Sequence, residues 1–550
     1  MRHMALMAIL IISLLATGCQ STPRGAAGSP PIFDGIGAYG RPISTASPDA
    51  QRYFNQGLTW AYGFNYDEAI RSFRQAGALD PACAMADWGV ALCNGPHINR
   101  PEMTGDQSKQ AWAAIQEALT KANSATPVEK DLIVALSKRY AEAPPAIRRG
   151  LDEAYAAAMR DLWAKYPADA DVGTLFAESL MDLQPWDLWT QDGKPKGLTL
   201  EIVATLERTI ELRPDNPGAL HLYIHAVEAS PHPERARVAA DRLRLLVPAS
   251  GHLTHMPGHI YARIGEWAEA SEANVRAIAS DKAYRAISPR QGFYRVYMAH
   301  NRHFLAWTSM MEGRYEAARR AAREMLAEMP KEMSKEEAAF VDVLNMIEMD
   351  VLKRFGKWDA MLDIPQPAEI FPVSRALWRY SRGLALAARG DVAAAEAERT
   401  LFEQAAGQVS PEAAVGNNTA KDILQIARHM LAGEIAYRKG EIDAAARELL
   451  AGVTIEDTLK YDEPPDWMQP VRHTLAAIYT QKKMYAQAVP MYEHDLAKWK
   501  DNGWSLFGKA KAQSAAGEKQ KAAETQRRFE QAWRRADTKI HASCLCVAAE

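Results

Sequence analysis

The sequence predicts an all-α protein, an α-solenoid built of helix pairs, and three observations lead to this fold class. The first is an internal repeat in which small residues recur at fixed spacing and a proline closes each copy. The second is the scarcity of strand patterns, because runs of β-branched residues are few and Ala, Leu, Glu, Arg and Lys dominate. The third is composition: 48% of the 550 residues are hydrophobic and 24% are charged, which is typical of a globular chain too long for one ordinary core.

Charge excludes some classes of partner. The formal net charge is −3 and the sequence pI is about 6.6, and the chain contains no block rich in Lys and Arg. Nucleic acid and anionic membrane surfaces attract strongly basic proteins. We therefore expect neither of them as the main partner.

The first residues have the order of a secretory signal. Arg2 and His3 precede an apolar run over residues 4–15, and small residues lead from Ala16 to Cys19. We predict a signal peptide over residues 1–18, with a buried N-terminal helix as the alternative. The small residues before Cys19 resemble a bacterial lipobox, which implies that Cys19 is lipidated and becomes the mature N-terminus.

Residues 19–48 are rich in Pro, Gly, Ser and Ala, and we predict that they form a lipid-anchored flexible tether. Gln20 after the cysteine, by resemblance to lipoprotein sorting rules, favours the outer membrane over the inner one. We expect a bacterial cell-envelope protein, either an outer-membrane lipoprotein or a periplasmic one. No other stretch approaches the roughly 20 apolar residues that a membrane span needs.

Beyond the tether, the internal repeat fits the tetratricopeptide (TPR) pattern, in which small residues let two helices approach closely. The first copy is carried by Gly57, Trp60, Ala69, Phe73, Ala76 and Pro81. Further copies contain Ala236, Ala240 and Pro248; Gly258, Tyr261, Ala270 and Ala277; and Ala306, Ala318, Ala322 and Pro330. Each pair can bury its apolar face only on its neighbours, so the repeats must stack.

We predict three repeat regions: N-terminal repeats with a Trp-rich loop over 49–200, central His-rich repeats over 201–335, and C-terminal repeats over 336–550. Two aromatic and proline-rich stretches, 183–189 and 461–467, interrupt the helical pattern. Such loops can supply ligand contacts, and we expect these from Trp186 and Trp189. The alternative is a loop that fills a gap between repeats.

Histidine clusters in the central region, since eight of the fourteen histidines lie between His221 and His303. In the TPR pattern, positions 2, 5, 9 and 12 of the first helix line the concave groove. With Gly258 at position 8, the histidines at positions 2, 5 and 9 are His252, His255 and His259.

The neighbouring repeats carry histidines at the same positions. One repeat upstream, His221 and His225 take positions 5 and 9, and Glu228 takes position 12. One repeat downstream, His300 and His303 take positions 2 and 5. All these side chains are expected to face one groove.

This arrangement predicts a metal site, because residues four apart on a helix have Cβ atoms about 5–6 Å apart and packed helices lie about 8–10 Å apart. Imidazole suits zinc, copper, iron or nickel, and Glu228 can add an oxygen ligand or act as an acid or base. The predicted metal ligands are His221, His225, His255, His259, His300 and His303. Predicted ligand contacts are His252, Glu228, Tyr261, Trp186 and Trp189. A metal-free polar or catalytic pocket and a structural hydrogen-bonded network are the alternatives.

Two features disturb the register. Pro257 lies between His255 and His259, where it should kink or restart the helix. The interval from Gly258 to Ala306 is longer than one repeat, which predicts an inserted turn within residues 281–297.

The cysteines are too few for a disulfide scaffold. A bond between Cys83 and Cys93 is compatible with an oxidising compartment. The spacing of Cys544 and Cys546 would strain a bond between them, which favours free thiols or other partners.

Seven phrases together resemble a bacterial family of TPR proteins, and they span roughly residues 50 to 546. They are residues 66–73, 83–89, 185–189, 221–228, 255–260, 300–304 and 542–546. The resemblance implies the fold and its extent, and it implies no activity.

The function predicted from the sequence is that of an envelope solenoid which binds a protein, peptide or small ligand in a histidine-lined concave groove, with a transition metal such as zinc, copper or iron. A metal-dependent enzyme that uses the same histidines is the first alternative. A metal-free scaffold for protein partners is the second.

Overall fold

The computed structural model describes residues 30–288, 291–330 and 333–548, and these ranges are mostly helical. Cys19 and the predicted signal peptide over residues 1–18 lie outside the described residues. Contacts divide the described chain into two units. The first unit contains the residues up to Ile260 together with Ala273–Asn301, and the second contains Tyr261–Glu272 together with the residues from Arg302 onward.

Eleven helices lie wholly within the described part of the first unit. They are α1 Pro48–Tyr62, α2 Tyr66–Leu79, α3 Ala84–Asn94, α4 Gly105–Lys121, α5 Pro127–Ser137, α6 Arg149–Lys165, α7 Ala170–Met181, α8 Thr199–Leu212, α9 Pro217–Glu228, α10 Arg237–Leu246 and α11 Gly251–His255. The next three helices have residues in both units: α12 Pro257–Arg263, α13 Trp267–Ile287 and α14 Arg295–Met311.

The second unit continues with twelve helices and one short hairpin among its described residues. The helices are α15 Tyr315–Glu328, α16 Lys335–Val341, α17 Ile347–Arg354, α18 Trp358–Leu362, α19 Pro372–Ala388, α20 Val392–Ala406, α21 Ala420–Arg438, α22 Ile442–Glu456, α23 Val471–Gln481, α24 Tyr485–Lys498, α25 Gly503–Ala515 and α26 Lys519–Ala532. The antiparallel strands β1 Ala414–Val415 and β2 Asn418–Thr419 precede α21.

Local sequence sets where the helices of the first unit begin. The Asn216 side chain accepts the N–H of Ala219, and Pro217 follows as the first residue of α9. The Ser250 side chain likewise accepts the N–H of Leu253 at the start of α11. Such caps satisfy backbone donors that a helix leaves free at its N-terminus, and proline loses no hydrogen bond there.

Close packing of consecutive helices builds each unit. In the first unit the buried ring of Phe73 on α2 lies between Gly57 on α1 and Gly89 on α3. A Cβ atom would lie 2.7 Å from this ring at Gly57 and 2.6 Å from it at Gly89, so a larger residue would push the helices apart. In the second unit Gly433 on α21 meets Leu449 on α22 in the same way, at 2.7 Å. The predicted α-solenoid of TPR-like helix pairs is confirmed.

The described end of the predicted tether packs on the first unit. Phe33 and Tyr39 are buried, and the Tyr39 hydroxyl donates to Asp171 at 2.6 Å. The Arg41 guanidinium donates two hydrogen bonds to Asp169, at 2.7 and 2.8 Å. Residues 30–47 therefore form part of the folded unit, because aromatic and charged side chains among the small residues find partners there.

One sequence expectation about the cysteines was wrong. The structure pairs Cys544 with Cys546, whose Cα atoms lie 5.2 Å apart, whereas Cys83 and Cys93 are free and buried. A turn near the end of the chain brings the two Cα atoms within the ordinary range for a disulfide. Among the described residues, no helix has both the length and the apolar character that crossing a membrane requires.

Candidate metal centre

Four helices bring six histidines together in the first unit. Helix α9 carries His221 and His225 one turn apart, α11 carries His252 and His255, α12 carries His259 and α14 carries His300. The first five are at most 5% exposed, and His300 is half-buried. These six residues, which the sequence pattern placed along a concave groove, form an interior cluster that we call the histidine cluster.

Pro257 breaks the helix, as expected, without separating the two histidines around it. Helix α11 ends at His255 and α12 begins at Pro257. The backbone at Met256 keeps right-handed helical angles, and the His259 N–H donates to the Met256 carbonyl at 3.2 Å. His255 and His259 therefore remain on one side, with their Nε2 atoms 2.7 Å apart.

Hydrogen-bond partners fix the protonation of Nδ1 in several of these rings. His221 Nδ1 lies 2.7 Å from the Tyr62 carbonyl, which can only accept. His255 Nδ1 lies 2.7 Å from Oδ1 of Asn274 on α13. Each Nδ1 must therefore carry the proton, and in the neutral ring Nε2 then has a free lone pair.

Glu228 fixes two more rings at once. Its Oε1 accepts from His225 Nδ1 at 2.8 Å, and its Oε2 accepts from His259 Nδ1 at 2.5 Å. Histidines that bind metal commonly donate their other ring N–H to a carboxylate or a carbonyl, which holds the ring in place and makes it more basic. Glu228 occupies this supporting position for two histidines.

The Nε2 atoms then face one another. His255 Nε2 lies 2.7 Å from His259 Nε2 and 3.1 Å from His300 Nε2. In neutral His255 and His259 both of these Nε2 atoms carry lone pairs, which repel at this distance. A cation between them, either a proton or a metal ion, removes the repulsion.

Burial disfavours a proton on His255 as that cation. It lowers the pKa of His255 well below its usual value, and the neighbouring His259 and His300 lower it further. The pKa values of His221 and His252 are lowered in the same way. Burial alone would raise the pKa of Glu228, but His259 and His225 lower it to about 2, so the carboxylate stays charged.

The ring nitrogens form two groups of three. One nitrogen each from His221, His225 and His252 lie within 4.8 Å of one another, and the same holds for His255, His259 and His300. We call these the first and second triads. His225 Nε2 in the first triad is buried and has no hydrogen-bond partner among the described residues.

Aromatic rings pack against the first triad. The ring centroid of Phe64 lies 4.5 Å from that of His221, and Trp186 lies 5.1 Å from His225 with its ring edge-on. Both aromatic residues have positive φ, 56° at Phe64 and 59° at Trp186, a conformation that is rare for bulky residues. Trp189 is half-buried and donates its indole N–H to the Ala226 carbonyl at 2.8 Å.

The structure thus brings together five of the six histidines that the sequence assigned to a metal, and it adds His252, which we had assigned to ligand contacts. His303 is half-buried and belongs to neither triad. Tyr261 is fully buried, and the contact division places both Tyr261 and His303 in the second unit.

Sequence reasoning missed three contributors. Asn274 lies on α13, the second helix of a repeat. From the sequence, we considered only groove positions on the first helix of each repeat. Tyr62 acts through its backbone carbonyl, which no residue pattern can reveal. Phe64 lies in the turn between α1 and α2, far from the histidines in sequence.

No protein-family model matches the chain, and no curated relative matches it either. Among solved structures, the human IFIT1 dimer with m7Gppp-AAAA shares 12% identity over 90% of this chain and 91% of its own, with a TM-score of 0.33. Yeast Tom70 shares 11% over 86% and 90%, with a TM-score of 0.30. The P58(IPK) TPR domain shares 11% over 74% and 93%, with a TM-score of 0.19. These scores are too low to carry an argument, so the site must be interpreted from its own geometry.

Proposed function

We propose that the first unit binds a transition metal through the histidine cluster. The observation that carries this proposal is the pair of Nε2 atoms of His255 and His259, 2.7 Å apart, in rings whose Nδ1 protons are held by Asn274 and Glu228. In the neutral rings, both Nε2 lone pairs point at the same place. That arrangement suits a metal ion, because histidine ligands commonly have their other N–H held by a protein acceptor.

The donor atoms limit the choice of metal. Neutral imidazole nitrogen is a good ligand for zinc, copper, iron and nickel, whereas calcium and magnesium prefer oxygen. Both oxygens of Glu228 accept from histidine N–H groups, so the carboxylate orients ligands in this proposal rather than acting as acid or base. We therefore propose zinc, copper, iron or nickel.

A metal-dependent enzyme is the second candidate, and the number of protein ligands in each triad favours it. Catalytic zinc sites typically use three protein ligands and leave a fourth position for water or substrate, whereas structural sites are closed by four. Each triad supplies three nitrogens. In such an enzyme, water or substrate would bind at the open coordination position of the metal, and Glu228 would take no direct part in the reaction.

The proposed setting is the bacterial envelope, with the chain exported and lipidated at Cys19. This rests on the residue order from Arg2 to Cys19. Mass spectrometry of the mature protein from its native membrane fraction tests it. A diacylated or triacylated N-terminal Cys19 supports the proposal, and an intact N-terminal Met1 contradicts it.

Elemental analysis of the untagged protein, purified without chelator, tests metal binding. We expect at least one equivalent of a transition metal per chain in the wild type. The double variant His225→Ala, His259→Ala removes one ligand from each triad and should lose the metal, with the helical signal in circular dichroism retained.

The matched control is the double variant His232→Ala, His429→Ala. These histidines also contact carboxylates, Glu234 at 3.0 Å and Glu448 at 2.8 Å, but lie outside the cluster. The control should keep its metal. Absence of metal in the wild type, even after reconstitution with Zn²⁺ or Cu²⁺, would contradict metal binding and leave the metal-free scaffold for protein partners.

A further inference from the structure

We propose that the histidine cluster is a dinuclear centre, in which each triad holds one first-row transition-metal ion. This inference rests on the proposed metal-binding function and goes beyond it in number and arrangement. A single ion is the simpler alternative. Three features of the first unit favour two ions over one.

The first feature is that each triad is a complete ligand set. Three nitrogens that bind one tetrahedral ion at about 2.1 Å lie about 3.4 Å apart. The ligand atoms of each triad already lie within 4.8 Å of one another. Ring movements of under about 1 Å therefore suffice for three bonds, and neither triad needs a ligand from the other.

The second feature is that one ion would leave a buried ligand nitrogen unsatisfied. With an ion in the second triad alone, His225 Nε2 would remain buried and without a partner among the described residues. His221 Nε2 lies 3.1 Å from His252 Nε2, and its Nδ1 proton is held by the Tyr62 carbonyl, so its lone pair points into the first triad. A buried unsatisfied polar atom costs about 1–3 kcal/mol, and a second ion would satisfy His225 Nε2.

The third feature is that the two triads are neighbours and that one residue, Glu228, orients a histidine in each of them. The ring centroids of His225 and His259, one from each triad, lie 5.8 Å apart. Those of His252 and His255 lie 6.1 Å apart, close to the 5.9 Å between His259 and His300 within one triad. Glu228 holds both His225 and His259, so the orientation of a ligand in one triad is coupled to that in the other.

A dinuclear arrangement has a chemical consequence. Two ions with three protein ligands each have open positions on neighbouring metals. Paired metal sites can hold one small ligand between them, or can stabilise an attacking oxygen on one ion and a leaving oxygen on the other. The ligand class that this pair would take is a small oxygen donor such as hydroxide.

Titration of the full-length protein, stripped with chelator and reloaded with Zn²⁺, tests the number of ions. We expect two equivalents per chain. The variant His221→Ala, His225→Ala removes two ligands of the first triad, and His255→Ala, His300→Ala removes two of the second. Each variant should retain about one equivalent, and the His232→Ala, His429→Ala control should retain two.

Other results separate the two proposals. One equivalent in the wild type, abolished by either triad variant, would overturn the dinuclear centre and leave metal binding intact. Zero equivalents would overturn both. Hydrogen exchange of each variant without metal would show whether α9 and α11 remain folded, so that a lost ion can be assigned to lost ligands.

Electron paramagnetic resonance of the protein loaded with two equivalents of Cu²⁺ tests adjacency. Neighbouring Cu²⁺ ions should couple magnetically, which lowers or broadens the signal relative to two isolated ions. The variants that hold one Cu²⁺ should recover an ordinary mononuclear spectrum. Two equivalents with an uncoupled spectrum would mean separate sites and would overturn the proposed pair.

Discussion

At the residue scale, Glu228 orients two histidines although it belongs to neither triad. Both of its oxygens accept from imidazole N–H groups, at 2.8 and 2.5 Å. In the variant Glu228→Gln, one oxygen becomes an amide N–H₂ that faces another N–H donor. We expect the affinity for Zn²⁺ to fall by about 10–100-fold, as is typical when such supporting groups are lost. Competition with a chromogenic chelator measures this change.

Glu234 offers a matched control for this prediction. It also accepts from a histidine, His232 Nδ1 at 3.0 Å, but both side chains are exposed. Glu234→Gln should leave Zn²⁺ affinity unchanged. Equal affinities in the two variants would mean that Glu228 has no role in orienting the ligands.

A second residue, Glu434 on α21, should make the stability of the second unit depend on pH. Its side chain is fully buried, and although Arg438 donates to Oε1 at 3.1 Å, Oε2 has no hydrogen-bond partner among the described residues. Burial raises the pKa of Glu434 to about 7, with Arg438 opposing the shift. The folded state thus holds a proton that the unfolded state releases at lower pH.

The sign follows from proton linkage. Between the ordinary glutamate pKa, about 4.3, and the folded value, the folded state binds more protons, so the free energy of unfolding falls as pH rises. Glu434→Gln should remove about 1–3 kcal/mol of this fall between pH 5 and pH 8. Urea denaturation at both pH values measures it, and Glu441→Gln, at an exposed carboxylate, should keep the wild-type slope.

At the element scale, the ring of Phe73 determines how closely α1, α2 and α3 pack. A methyl group at Gly57 would lie 2.7 Å from that ring, so Gly57→Ala should lower the free energy of unfolding by about 1–3 kcal/mol. Gly150→Ala is the control, because the added methyl would meet no side chain or other segment within 4 Å beyond its own turn of helix. We expect this change near the start of α6 to leave stability unchanged or raise it by up to about 1 kcal/mol. Chemical denaturation that shows equal effects would contradict the packing argument.

Helix packing also explains why the sequence predicted some features of the structure and not others. The repeat pattern predicted the helix pairs, because glycine and alanine recur wherever two helices touch, as Gly57 does at Phe73. The spacing of His221 and His225 one repeat before His255 and His259 predicted their convergence. The same count did not distinguish His300 from His303, which both lie on α14, although only His300 belongs to a triad.

The repeat pattern in the sequence could not predict that the histidine cluster is buried. A repeat count assigns side chains to a face of a helix, and that face is open to solvent only if nothing covers it. In the first unit the Phe64 turn and the 183–189 loop, which carries Trp186, pack against His221 and His225. Such contacts join residues more than 30 positions apart and depend on the three-dimensional path of the chain.

At the scale of the whole molecule, metal binding should stabilise the first unit selectively. A ligand at 100 times its dissociation constant stabilises the state that binds it by about 2.7 kcal/mol. Hydrogen exchange followed by mass spectrometry should therefore show slower exchange in α9, α11 and the first turn of α12 when Zn²⁺ is added. Helices α21 and α22 should exchange at unchanged rates. Slower exchange in α21 and α22 alone would place the bound metal elsewhere.

The three repeat regions predicted from the sequence stay a prediction, because they were defined by the repeat pattern. Contacts describe a different property, and by that measure the described chain forms two units. Sequence periodicity identifies which helices pair. It contains little information about which stacks of pairs share a core.

The packing of residues 30–47 limits how far the first unit can lie from the membrane to which the chain is proposed to be anchored. Pro30 is held at the first unit by its carbonyl, which accepts from the Tyr53 hydroxyl at 2.8 Å. With lipid on Cys19, as proposed, only about ten residues separate the bilayer from the folded surface, and fully extended they span roughly 36 Å. A free chain over the whole of 19–48 would span roughly 100 Å. The attachment point of the first unit would therefore stay within roughly 36 Å of the membrane, about a third of the distance that a fully free tether would allow.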